Sequence, residues 1–64
     1  MTVGERIRQY REQAEMTQED LAGKLGITHS AVSLIEADKR GVTVEKLRRI
    51  ADALDVSITE LLEQ

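Results

Sequence analysis

Apolar residues recur at helical spacing in five separate stretches of the chain. Val3, Ile7, Tyr10 and Ala14 fall on one stripe of a first helix. Leu21, Ala22 and Leu25 mark a second, and Val32 and Ile35 a third. Val44, Leu47, Ile50, Ala51 and Leu54 form the longest stripe, and Ile58, Leu61 and Leu62 close the series. Each stretch is preceded by a residue suited to accept from free backbone N–H groups. Thr2-Val-Gly-Glu5 and Ser57-Ile-Thr-Glu60 have the form of capping boxes, while Thr17, Thr28 and Thr43 stand at N-cap positions. The first helix is expected to fade near Ala14 or Glu15. The second should cover Gln18–Leu25 and end at Gly26, with Ile27 filling the corner. The third should cover His29–Ala37, with Asp38-Lys-Arg-Gly-Val as a polar loop after it. No internal repeat or linker interrupts the pattern, which predicts an all-α, five-helix single domain over residues 1–64.

The junction of the second and third stretches is the most specific feature. Ala22, Gly26 and Val32 are spaced four and six residues apart, with only a short turn between two amphipathic segments. Helices crossing at roughly 90–120° need a methyl-sized residue where they come closest and a tight connection. They also need an apolar residue pointing back from the second to the first. Glycine takes the positive φ that such a connection requires without steric penalty. The spacing therefore predicts a helix-turn-helix formed by helices two and three.

Composition narrows the picture further. At 64 residues, folding buries only about 60% of the unfolded chain's surface, so stability should be modest. Tyr10 is the single aromatic residue and proline is absent, which points to an aliphatic core in a helical domain. Without cysteine there are no disulfides or thiolate ligands, which fits a reducing cytoplasm. No apolar run approaches the ~18 residues of a membrane span, and the N-terminus lacks a signal peptide's apolar stretch. A cytoplasmic location is the expectation. The net charge of −3 is unlike that of most nucleic-acid binders. Its distribution matters more: Asp52, Asp55, Glu60 and Glu63 lie beyond the last basic residue, so residues 1–49 carry nine bases against eight acids.

Several motifs together make the chain resemble the Cro and lambdoid phage repressor family of helix-turn-helix proteins, also called the xenobiotic-response-element family. They are Gly4-Glu-Arg-Ile-Arg, Arg11, Thr17-Gln18-Glu-Asp-Leu21-Ala22, Leu25-Gly26-Ile27-Thr28, Val32-Ser33, Ile35-Glu36 and Ile50-Ala-Asp-Ala-Leu54. The likeness covers nearly the whole chain and implies a lambda-repressor-like fold. It also implies a sequence-specific regulator of transcription, a repressor by the family's habit, which places the third helix (Thr28–Ala37) in the major groove of duplex DNA. By the same resemblance Thr28, His29, Ser30, Ser33 and Leu34 face the DNA. Gln18, the Lys39-Arg40 loop and Thr43 lie where the family contacts phosphates, and Arg11 and Glu36 resemble its interhelical ion pair. A weak homodimer through the fifth helix and a palindromic operator are implied as well. The chain departs from the family in four places. Asp38 and Glu15 stand where glycine is common, Val42 where proline is, and Leu34 where a polar base reader is usual. Leucine there can still touch a thymine methyl.

Other chemistries find little material. His29 has no second His or Cys to share a metal with, and a first-turn helix position offers no enclosed pocket for acid–base work. Neither an enzyme nor a cofactor site is expected. Ser30 and Ser33 suit base or phosphate contact as well as simple clearance for the duplex. Lys46, Arg48 and Arg49 read as bases flanking acidic neighbours. The acidic total and the apolar Leu34 motivate a second reading, a helix-turn-helix fold used chiefly for protein interaction or dimerisation.

Overall fold

The computed structural model describes residues 1–62; Glu63, counted in the acidic tail above, and Gln64 lie outside the described residues. Five helices follow one another: α1 (Val3–Gln13), α2 (Gln18–Leu25), α3 (His29–Glu36), α4 (Val44–Leu54) and α5 (Ile58–Leu61). Their starts follow the capping chemistry of the sequence. The Thr2 hydroxyl accepts from the Glu5 N–H at 3.1 Å, while the Thr2 N–H donates back to the Glu5 carboxylate at 2.8 Å. Thr17 and Asp20 make the same reciprocal pair, and the hydroxyls of Thr28 and Thr43 accept from Ala31 and Lys46 N–H groups. At α5, the Ser57 N–H donates to the Glu60 carboxylate at 3.0 Å.

Four helices end alike. The N–H groups of Met16, Ile27, Lys39 and Val56 each reach back five residues, to the carbonyls of Arg11, Ala22, Leu34 and Ala51. Such a turn needs one residue in the left-handed region, normally glycine. Only Gly26 meets that preference, at φ 71°; Glu15, Asp38 and Asp55 hold φ 58°, 60° and 59°.

The core is aliphatic, as the composition predicts. Ile7, Leu21, Ala22, Leu25, Val32, Ile35, Leu47, Ile50, Ala51, Leu54 and Leu61 are buried together, with Tyr10, Met16 and Ile27 packed partly against them. α2 lies on α3 and α4, and α1 bridges α3, α4 and α5. Three expected core residues fall outside it. Ala14 is the exposed C-cap of α1, where the chain is already turning away. Val44 is 67% exposed because it occupies the first position of α4, before the helix reaches the core. Leu62 is 41% exposed, one residue past the end of α5. α3 also stops at Glu36, one residue short of the expected Ala37, which serves as its C-cap.

Candidate nucleic-acid interface

The Ala22–Gly26–Val32 arrangement does what its spacing requires. Ala22 and Val32 are both buried, and Gly26 turns the chain at φ 71°, ψ 30°. α3 is thereby left with two different faces. Ala31, Val32, Ile35 and Glu36 are buried beneath it, while Thr28, His29, Ser30, Ser33 and Leu34 are exposed. The exposed set carries hydroxyls, one imidazole and one apolar side chain, with no acidic group among them.

The buried side of α3 is held by charge as well as by hydrocarbon. Arg11 of α1 donates to Glu36 twice, Nε to Oε2 at 2.6 Å and an Nη to Oε1 at 3.1 Å. Its remaining Nη donates to the Met16 carbonyl at 2.7 Å, closing the turn between α1 and α2. The bonds that Arg11 donates to Glu36 raise the Arg11 pKa above its ordinary value, against the opposing pull of burial. The same Glu36 oxygen also accepts from the Gln18 side-chain amide at 3.0 Å. Gln18, which the family likeness assigns to phosphate contact, is thus half-buried and anchored to α3 through its NH₂ group. The first turn of α2 and the last turn of α3 meet on one carboxylate.

Lys39 and Arg40 follow α3 as exposed loop residues, and Thr43 is exposed at the start of α4. Two contacts around this scaffold were not visible in the residue pattern. The Asp38 carboxylate accepts from the Gly4 N–H at 3.0 Å and from the Thr2 hydroxyl, joining the end of α3 to the start of α1. From α4, an Arg49 Nη donates to the Leu25 carbonyl at 2.7 Å and so caps the end of α2. Arg49 is therefore more than a base beside acidic neighbours. Spacing could not reveal either contact, since each pairs a side chain with backbone more than twenty residues away. The glycine at position 4 was the one available hint.

The helix-turn-helix family profile matches residues 7–61 of this chain. The chain belongs to the helix-turn-helix family, in its Cro/C1-type branch. Among relatives of that family, the transcriptional regulator SinR of Bacillus subtilis is 33% identical over 63 residues, covering 97% of this chain and 57% of SinR. A crystal structure of SinR in complex with DNA superposes with a TM-score of 0.88 at 33% identity, over 97% of this chain and all of that one. The P22 c2 repressor bound to a synthetic operator superposes with a TM-score of 0.89 at 30% identity, over 98% and 96% of the two chains. The chain spans about half the length of the curated relatives it matches. Among the described residues, no helix is long and apolar enough to cross a membrane.

Proposed function

We propose that this chain binds double-stranded DNA sequence-specifically, laying α3 in the major groove, and acts as a transcriptional regulator of the repressor kind. The two-sided character of α3 carries the reading. Its buried side is fixed to α1 and α2 through Glu36, and its outer side presents small polar groups that a duplex can approach. In this reading His29, Ser30 and Ser33 hydrogen-bond base edges, Leu34 covers a thymine methyl, and Thr28 sits at the groove edge. Gln18, Lys39, Arg40 and Thr43 contact phosphates, and the free N–H groups at helix starts add to that attraction. The DNA-bound structures of SinR and the P22 c2 repressor, which share this fold, support it.

One α3 spans only a few base pairs, so the reading includes a weak homodimer on a palindromic operator with half-sites one turn, ~34 Å, apart. Leu61 is wholly buried and unavailable for the seam. The exposed Val44 and Leu62 flank a depression of about 350 Å³, shared with Val3, Val42 and Leu47, and offer the apolar surface instead.

Fluorescence anisotropy against a random-sequence duplex tests the reading. Association with a dissociation constant of about 1–100 μM, abolished by high salt, is the expected result. Selection from a random duplex library should then return a palindrome. No association at low salt would leave the interaction-module reading, which the exposed Val44 and Leu62 and the acidic net charge favour.

A further inference from the structure

Asp38 stands where backbone geometry alone asks for glycine. It holds φ 60° in the turn that ends α3, with its own N–H donating to Ile35 and the Lys39 N–H donating to Leu34. An L-residue is disfavoured in that region, so the side chain should have a compensating use. Its two oxygens supply one. Oδ1 accepts from the Gly4 N–H, an otherwise free donor in the first turn of α1, and Oδ2 accepts from the Thr2 hydroxyl. Gly4 is shaped for the same junction. A Cβ built there would stand 2.5 Å from the Ile35 carbonyl oxygen, 2.6 Å from Asp38 Oδ1 and 2.7 Å from the Glu36 carbonyl oxygen.

The other left-handed acidic residues differ. Glu15 and Asp55 close equivalent turns, yet neither takes part in a side-chain hydrogen bond among the described residues. Of the three, Asp38 is the one whose side chain couples a helix end to the start of another helix, and Lys39 and Arg40 follow it directly.

From this geometry we infer that Asp38 is a positioning residue for DNA binding. Clamped to Gly4 and Thr2, it fixes where the chain leaves α3 and so holds Lys39 and Arg40 in register with the phosphate backbone. The inference rests on the DNA-binding reading above. It makes an unusual demand of electrostatics: a negative charge beside two phosphate-facing bases helps binding, although its own field opposes the duplex.

Asp38→Gly and Asp38→Asn remove the same charge and separate the two effects. Glycine relieves the backbone and abolishes the clamp. Asparagine keeps an oxygen for the Gly4 N–H and tolerates the left-handed region. Binding of the wild type and both variants to a random duplex is measured by anisotropy across a salt series, after circular dichroism has established that each is folded. Asp38→Gly should bind about fivefold more weakly than Asp38→Asn, the scale of one hydrogen bond between neutral groups. Its log–log salt slope should be shallower by about 0.9 for each phosphate that it no longer neutralises. Gly4→Ala, which crowds the same junction without changing charge, should shift the slope in the same direction. Equal binding by the two Asp38 variants, or tighter binding by Asp38→Gly, overturns the inference while leaving DNA binding intact. Unfolding of Asp38→Gly while Asp38→Asn stays folded assigns the clamp to stability and overturns it too. A wild type that ignores DNA removes both.

Discussion

Arg11 and Glu36 meet through two hydrogen bonds, at 2.6 and 3.1 Å, with both side chains more than nine-tenths buried. Removing one partner of such a pair leaves the other charge buried without compensation. Arg11→Ala is therefore expected to lower stability by ~3–5 kcal/mol, read as a fall in the urea midpoint. Arg11→Lys should recover little of it, because an ammonium cannot supply the fork that also reaches the Met16 carbonyl. A midpoint unchanged in Arg11→Ala would show that the pair contributes nothing.

Arg49 gives a milder test of how the turn is held. Its guanidinium satisfies the Leu25 carbonyl at the end of α2, one residue before Gly26. Arg49→Ala should cost about 1 kcal/mol, and hydrogen exchange at the end of α2 should speed up first. Uniform acceleration across the chain would mean that this hydrogen bond has no local effect.

The two glycines of this region should respond to alanine with opposite signs. Gly23 lies inside α2, exposed, with nothing within 4 Å of an added Cβ, so Gly23→Ala should stabilise by roughly 0.5–1 kcal/mol. Gly26→Ala has the same open space, but its φ of 71° makes the substitution destabilising by about 1 kcal/mol. Glu15→Gly should gain roughly 0.5 kcal/mol, relief of its φ of 58° outweighing the added freedom of the unfolded chain. Thermal melts of the three variants check the order.

Acid should weaken the fold through two caps. The hydrogen bond from the Thr2 backbone N–H, with the Thr2 side chain close by, holds the Glu5 pKa below its ordinary value, and Thr17 does the same for Asp20. A carboxylate with a depressed pKa binds its proton more readily in the unfolded chain. Its contribution is fully present above the ordinary carboxylate range, near pH 4, and is lost as pH falls through the lower folded value. Urea midpoints measured from pH 5.5 down to 2.5 should decline, and the double variant Glu5→Gln, Asp20→Asn should decline less steeply. Parallel profiles would count against the caps.

Much of this was legible in the residues because it is local. Thr2 with Glu5, and the threonines at 17, 28 and 43, announce helix starts within one turn. The stripe from Leu47 to Leu54 shows its buried side by spacing alone. Val44 continues that stripe in sequence but not in space, since periodicity cannot tell where along a helix the core begins. The order Ala22–Gly26–Val32 located the turn because sterics leave few residues that fit there. What escaped was the set of long-range polar ties: Asp38 to Gly4, Arg49 to Leu25 and Gln18 to Glu36. Each joins groups distant in sequence, and nothing in local spacing marks a side chain that will satisfy a polar group of another helix.

The outward side chains of α3 take no part in the hydrophobic core. His29, Ser30, Ser33 and Leu34 lie outside the core, while the helix beneath them is secured by Val32, Ile35 and Glu36. Foundation and lettering are thus written in different residues of one short segment. Under the proposed DNA-binding reading, altered preferences can arise by exchange of those four alone, and descendants of this chain could change what they read without having to learn again how to fold.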